Sequence, residues 1–248
     1  MATAPVGQPG QEEKATPRPP SGHGGHLRLA SPAWAITGVS CLALSAVLTA
    51  IVITTSAWVE PIDHHWLQWM LDVRSPPATS AGKVLNVVAG GTAMWIVRLA
   101  IAAALAFWRR WRALLVFVLA ELCAELSIGP VKALVGRTRP AGSLVAVSGQ
   151  SLPSGHAVTA AATAVVLALI LTRPGRSRVL ALAAAVAWSA LIGLSRTYLS
   201  AHWLTDVLVG LLIGAGWATL WFGILGTRPR VPATQVAAPP ATDPAPPG

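Results

Sequence analysis

Long apolar runs separated by short polar segments dominate the chain. Apolar residues are concentrated in blocks rather than alternating with polar ones, which favours helices over half-buried strands. Most blocks approach the roughly 20 residues that an α-helix needs to cross a bilayer. The pattern therefore predicts an all-α, polytopic bundle of six transmembrane helices. The predicted spans cover residues 33–58, 82–107 (interrupted by Gly90-Gly91), 113–135, 157–171, 179–194 and 203–225.

Composition and charge agree with a membrane protein. Of the 248 residues, 54% are hydrophobic and 11% are charged, which is too apolar for an ordinary soluble domain. The formal net charge is +9, but the 18 Lys and Arg residues lie in short clusters beside the apolar runs. The positive-inside rule accounts for such clusters, so no nucleic-acid partner is expected. Cys41 and Cys123 both fall inside predicted spans, which argues against a disulfide framework.

The two ends of the chain differ in composition from the apolar region. Residues 1–30 are rich in Pro, Gly, Glu and Lys, and residues 228–248 in Pro and Ala, so both are predicted to be disordered tails. They flank a membrane domain at residues 31–227. Six spans put both termini on one side, and the basic turns place that side in the cytoplasm of a cell with a plasma (inner) membrane. The sequence makes no prediction of the oligomeric state.

Two polar features interrupt this layout. Residues 60–77 are predicted to form a solvated, lid-like loop on the outer side, where His64 and His65 are candidates for a role in headgroup choice. No ligand-spaced partners accompany them, so no metal site is expected. Arg98 and Glu121 lie about equally far from the turn between the second and third spans, and an unpaired charge at that depth is costly. We therefore expect an ion pair between them, with Glu125 on the same helical face.

The densest group of chemically active residues lies between the fifth and sixth spans. His202 and Asp206 are four residues apart, so on a helix they share one face. An aspartate there can accept the Nδ1–H of the imidazole and leave Nε2 free as a nucleophile. Arg196 lies six residues before His202, and its guanidinium can fork around an anion. This segment predicts a phosphate site at the edge of the membrane.

Two further segments are predicted to reach the same side. Residues 132–140, at the end of the third span, carry Lys132 and Arg139. Ser154 and Gly155 precede the fourth span, where an N-cap and free backbone N–H groups attract an anion. His156 follows them and suits proton donation to a leaving oxygen. Arg137 is either a headgroup contact or a surface charge. The three segments together favour a single phosphate site over the alternative that each is merely the end of a helix.

The three segments resemble the signature of the type 2 phosphatidic acid phosphatase family, the membrane branch of the superfamily of acid phosphatases and vanadium haloperoxidases. All three parts match without substitution and in the family's order across residues 132–206. The resemblance implies that superfamily's core within the six-helix bundle. The matching pattern is Lys132-x6-Arg139-Pro140, then Pro153-Ser154-Gly155-His156, then Ser195-Arg196-x5-His202-x3-Asp206.

The resemblance also implies a role for each position. The three cations of the pattern, with Ser154 and Gly155, are expected to hold the phosphoryl oxygens. His156 corresponds to the general acid, His202 to the nucleophile that forms a phosphohistidine, and Asp206 to the residue that orients it. Three fixed cations offset the phosphate charge, so neither a divalent metal nor another cofactor is expected. The cations are Lys132, Arg139 and Arg196.

The predicted function is hydrolysis of a lipid phosphate or diphosphate by an extracytoplasmic site that the substrate reaches laterally from the bilayer. Substrates found in the family include undecaprenyl or other isoprenyl diphosphates, phosphatidic acid and phosphatidylglycerol phosphate. The Ala-, Pro- and Arg-heavy composition is typical of GC-rich bacterial genomes. Three alternatives stay open: a lipid phosphotransferase, a vanadate-dependent haloperoxidase, and a non-catalytic lipid binder or transporter using Arg98, Glu121 and Glu125.

Overall fold

The computed structural model describes residues 30–226, and within this range every regular element is a helix. Both predicted tails therefore lie outside the described residues, apart from Ala30. The eight helices of the described range are α1 (Pro32–Thr54), α2 (Ser56–Asp72), α3 (Pro76–Val88), α4 (Gly91–Phe107), α5 (Trp111–Val135), α6 (Gly155–Leu171), α7 (Arg176–Tyr198) and α8 (Leu204–Leu225).

Four of these helices, α1, α5, α7 and α8, are long and apolar enough to cross a membrane. A fifth span is present if α3 and α4, which meet at an angle of 51°, are counted together. The predicted fourth span corresponds to α6, which is apolar but has only 17 residues. At 1.5 Å per residue it measures about 25 Å, which is shorter than the bilayer core. The structure confirms a multi-pass helical protein and does not confirm six full spans.

The segment predicted to be a loop at residues 60–77 is mostly helical. α2 runs through it from Ser56 to Asp72, and only a short connection precedes α3. The helix forms because Val59, Asp63 and Met70, at helical spacing, share one face that is buried against the rest of the protein. The neighbouring side, about 100° around the helix, exposes Trp58, Ile62 and Trp69. The polar residues and Pro61 obscured this amphipathic pattern in the sequence.

At the centre of the bundle lies α6, which packs against α5, α7 and α8. Its alanines and valines are buried on nearly every face. Gly210 and Gly214 of α8 allow the closest approach, because a Cβ atom at Gly214 would lie 2.2 Å from the backbone oxygen of Val158. The two helices are therefore in backbone contact, and this contact fixes their N-terminal ends relative to each other.

The expected intramembrane ion pair is present. Arg98 Nε lies 2.9 Å from Glu121 Oε2, and Arg98 Nη1 donates to Glu125 Oε2 at 3.1 Å. The guanidinium also stacks over the Trp95 ring. Arg98 and Glu121 are both buried. Antiparallel packing of α4 and α5 thus brings the charges to the same depth, as the sequence predicts.

Replacing Arg98 by leucine should destabilise the protein by about 3–5 kcal/mol, because it leaves the Glu121 carboxylate buried without its cation. The double variant Arg98→Leu/Glu121→Leu should recover most of the loss. Thermal unfolding in detergent measures both. A double variant no more stable than Arg98→Leu would show that the pairing does not explain the loss.

Candidate active site

The predicted site residues meet at one end of the bundle, where α5 ends and α6 and α8 begin. His202 and Asp206 flank the start of α8, and Ser154 is the N-cap of α6. The two helix starts are joined directly, because the backbone N–H of Ser154 donates to the backbone oxygen of Asp206 at 3.0 Å. The loop between α5 and α6 brings Arg139 to the same place.

His202 and Asp206 form the expected pair, but they do not share a face of one helix as the sequence predicted. His202 precedes α8, Trp203 is the N-cap, and Asp206 lies in the first turn. Asp206 Oδ2 accepts the backbone N–H of Trp203 at 2.9 Å and lies 3.4 Å from His202 Nδ1. A carboxylate in the first helical turn is also stabilised by the helix dipole. The pair therefore joins the residue before the N-cap to the first turn of α8.

The Nε2 nitrogen of His202 is unprotonated in this geometry. Arg139 Nη1 lies 3.0 Å from His202 Nε2. An arginine can only donate, so Nε2 must accept, and the ring proton must be on Nδ1, facing Asp206. Burial is the main reason that the pKa of His202 falls to about 4; Asp206 raises it, while Arg139 and Arg196 lower it. The imidazole is thus neutral at pH 7.

His156 has the opposite arrangement. Its Nε2 lies 3.2 Å from the backbone oxygen of Asn86 on α3, and since a carbonyl only accepts, Nε2 carries a proton. Gly90 makes room for this contact, because a Cβ atom there would lie 2.6 Å from His156 Nε2. Asn86 also binds Arg196, whose Nη1 donates to the side-chain oxygen. One residue of α3 therefore positions two predicted site residues.

Arg139 and Lys132 are held by the loop between α5 and α6. Arg139 donates to the backbone oxygens of Ser148 at 2.9 Å, Gly149 at 3.0 Å and Gln150 at 3.1 Å. Lys132 Nζ donates to the same oxygen of Gln150. The two cations converge on one carbonyl, and Arg139 also reaches His202. A cluster of cations beside a free imidazole nitrogen is suited to bind an anion.

Ser154 supplies a further polar group. Its hydroxyl is fully buried and, among residues 30–226, has no hydrogen-bond partner. The side chain does not cap α6, although Ser154 occupies the N-cap position. A buried hydroxyl without a partner is costly, so a ligand oxygen at this position would satisfy it. The N–H groups of the first turn of α6, from Gly155 onward, add donors at the same helix end.

A cavity of about 180 Å³ lies beside His156, between α4, α5 and α6. Met94, Ile128 and Thr159 contribute to its walls. Arg98 and Glu125 also line it. The intramembrane ion pair and the site are therefore separated by one small, mostly apolar space.

A family profile described as the PAP2 superfamily matches residues 109–230. The chain belongs to the type 2 phosphatidic acid phosphatase superfamily. Its structure resembles a transmembrane PAP2-type phosphatidylglycerolphosphate phosphatase from Bacillus subtilis, with a TM-score of 0.66 and 26% identity over 76% of this chain and 94% of that one. LpxE from Aquifex aeolicus shares the fold, with a TM-score of 0.54 and 20% identity over 65% of this chain and 94% of that one. No curated protein sequence matches significantly.

The PAP2 match begins at the start of α5, so α1 to α4 lie outside it. Two residues of this outer part nevertheless contact the site. Asn86 binds His156 and Arg196, and Asp63 of α2 binds Arg137. Sequence reasoning missed both, because neither lies in a motif. The buried helical face that contains Asp63 was the one available signal, and Asn86 left none.

Arg137 is neither a free headgroup contact nor a surface charge. Its Nη2 lies 2.6 Å from Asp63 Oδ2, and its Nη1 lies 2.9 Å from Asp206 Oδ1. Its guanidinium also stacks over Trp203. Nearby, the His64 ring packs edge-on against Trp203, and His65 lines an apolar cavity of about 360 Å³ with Leu204. α2 thus covers the start of α8 in this PAP2 protein.

Proposed function

We propose that this protein is a metal-independent membrane phosphatase that removes a phosphoryl group from a lipid phosphate or diphosphate through a phosphohistidine at His202. The observation that carries the proposal is the opposite protonation of the two histidines. His202 Nε2 is free and faces Arg139, whereas His156 Nε2 carries a proton and faces Asn86. His202 Nε2 is thus available to attack phosphorus, and the bond from His156 Nε2–H to Asn86 leaves His156 Nδ1 as the nitrogen available for proton transfer.

In the first step, His202 Nε2 attacks phosphorus while the bond from phosphorus to the leaving oxygen breaks. Lys132, Arg139 and Arg196, with the Ser154 hydroxyl, hold the phosphoryl oxygens and stabilise their charge. A bound phosphate dianion favours the imidazolium form of His156, whose Nδ1–H then protonates the leaving oxygen. Asp206 accepts Nδ1–H of His202 as that ring gains positive charge.

In the second step, water attacks the phosphohistidine, and the nitrogen–phosphorus bond breaks. His156, now neutral, takes a proton from the water and regains its acidic form. Inorganic phosphate leaves, and His202 returns to the neutral state. A monoester yields a lipid alcohol, and a diphosphate yields a lipid monophosphate. The three cations supply the charge compensation that a divalent metal would otherwise provide.

Several observations support a lipid substrate. Helices with exposed apolar surfaces surround the site, and the cavity beside His156 opens among α4, α5 and α6. The solved structure at 26% identity is titled a phosphatidylglycerolphosphate phosphatase. Candidate substrates are phosphatidylglycerol phosphate, phosphatidic acid and isoprenyl diphosphates such as undecaprenyl diphosphate. The basic turns at Arg109–Arg112 and Arg173–Arg178 lie at the end opposite the site, which favours an extracytoplasmic site in a bacterial plasma membrane.

The test is phosphate release by detergent-purified protein, in EDTA, from a panel of these lipids. We expect release from at least one lipid at a rate that EDTA does not change, and the ranking of the panel identifies the substrate class. Assays with and without an acceptor lipid or sugar separate hydrolysis from phosphotransfer. Restoration of activity only by an added divalent metal, or no release from any lipid by folded protein, would contradict the proposal.

A further inference from the structure

A buried charge network connects α2 to the histidine–aspartate pair of the site. Asp63 accepts three hydrogen bonds: from Arg137 Nη2 at 2.6 Å, from the Thr205 hydroxyl at 2.6 Å and from the Thr205 backbone N–H at 3.0 Å. Arg137 Nη1 donates to the Thr205 hydroxyl at 2.7 Å and to Asp206 Oδ1 at 2.9 Å. The side chains of Asp63 and Asp206 have no solvent exposure, and that of Arg137 is 14% exposed.

This network divides the two oxygens of Asp206 between different partners. Oδ1 is held by Arg137, so Oδ2 is left for the backbone N–H of Trp203 and for His202 Nδ1. A carboxylate fixed at both oxygens cannot rotate away from the imidazole. Small displacements of a reacting group are costly, because a shift of about 1 Å can slow a reaction about 100-fold.

Asp63 balances the charge of the same network. Arg137 alone would draw negative charge away from Asp206 and weaken its interaction with His202. Because Asp63 binds the other terminal nitrogen of Arg137, the guanidinium charge is shared between two carboxylates. Asp206 therefore remains a strong hydrogen-bond acceptor. If Arg137 were absent, both buried carboxylates would lose the cation that they share, and Asp206 would lose the contact that fixes its Oδ1. Asp206 would then be a poorer partner for the imidazole.

We propose that Asp63 and Arg137 are positioning residues for the His202–Asp206 pair, and that α2 is therefore part of the catalytic unit. The inference rests on the proposed phosphatase function. Neither residue hydrogen-bonds to a group that is expected to hold phosphate. Apart from each other, their partners are Asp206 and Thr205. Their effect should consequently appear in kcat and not in KM.

The first test is Arg137→Met, which keeps the length of the side chain and removes its charge. We expect kcat to fall about 100-fold and KM to stay within about threefold. In an Asp206→Ala background, adding Arg137→Met should have little further effect, because the residue that Arg137 positions is already gone. Asp63→Asn/Arg137→Met should recover part of the activity that Arg137→Met loses, since it removes the uncompensated second carboxylate.

Arg74→Met is the matched control. Arg74 also ties the α2 region to the site end, by donating to the backbone oxygen of Tyr198 and to the Ser200 hydroxyl, but it does not contact Asp206. We expect it to lower Tm while leaving kcat within about twofold. Any of three results would overturn the positioning role. These are an unchanged kcat in Arg137→Met, a rise in KM alone, or a loss of kcat in the Asp206→Ala background as large as the loss in the wild type.

A readout that needs no phosphatase activity separates this inference from the proposed function. Carbethoxylation of His202 by diethyl pyrocarbonate, followed at that residue by mass spectrometry, reports the reactivity of the imidazole. We expect it to be several-fold slower in Arg137→Met than in the wild type and unchanged in Arg74→Met. If the wild type releases no phosphate, the proposed function fails, but the difference in carbethoxylation rate still decides the positioning role. Equal carbethoxylation rates in all three proteins would refute that role.

Discussion

His202→Ala should reduce phosphate release by at least about 10⁴-fold, and His156→Ala by about 10²–10⁴-fold, on a lipid phosphate. The two losses have different causes. Without His202 there is no nitrogen to form the bond to phosphorus, whatever the leaving group. Without His156 the bond can still form, but the leaving oxygen departs without its proton.

A leaving group that needs no proton distinguishes these causes. With p-nitrophenyl phosphate, His156→Ala should recover most of its loss in the first step and should accumulate an acid-labile phosphoenzyme, because the second step still lacks a base. His202→Ala should show neither effect. Tm of each variant is the control for folding. Equal rescue of both variants by p-nitrophenyl phosphate, or a phosphoenzyme in His202→Ala, would contradict the assigned roles.

Gly214→Ala should be strongly destabilising, although it adds only one methyl group. The added Cβ would lie 2.2 Å from the backbone oxygen of Val158 and 2.8 Å from the backbone nitrogen of Ala162. Backbone atoms cannot rotate away as side chains do, so α6 and α8 must separate. Overpacking of this kind costs about 1–3 kcal/mol or more. Because Ser154 and His156 lie at the start of α6, and His202 and Asp206 at the start of α8, activity should fall together with stability.

Gly129→Ala is the matched control for this prediction. Gly129 lies inside α5, and a Cβ atom there would meet nothing within 4 Å. In a helix, alanine is favoured over glycine by about 1 kcal/mol, so Gly129→Ala should leave Tm unchanged or raise it. Thermal unfolding and phosphate release, measured side by side in detergent, test the pair. Equal effects of the two substitutions would show that the contact between α6 and α8 does not limit stability.

The parts of the fold that the sequence predicted are those that depend on local periodicity. Apolar runs located the helices from α4 onward to within a few residues, and Gly90-Gly91 marked the break between α3 and α4. The pairing of Arg98 with Glu121 followed from their equal distance to one turn. α2 was missed because seven of its 17 residues are polar and Pro61 lies within it. Its helical conformation depends on burial of Val59, Asp63 and Met70 against the bundle.

In the site, too, local motifs could be predicted and long-range contacts could not. The motifs predicted that His202, Asp206 and Arg139 would meet, and the structure brings them together. The supporting contacts could not be predicted, because they join residues far apart in sequence. Asp63 and Arg137 are separated by 74 positions, and Asn86 and Arg196 by 110. Without the packing of α2 and α3 against the end of α7, nothing in the sequence relates these residues to each other.

The cavity beside His156 has a consequence for how new lipid preferences could arise. Met94 and Ile128, which line its walls, take no part in the hydrogen bonds that hold the cations and the two histidines. A change in their volumes would therefore alter the space beside His156 without removing any of those hydrogen bonds. Under the proposed function, substitutions at these wall positions should change the preference for the lipid more than the rate of phosphoryl transfer, and directed evolution toward a different lipid should begin there.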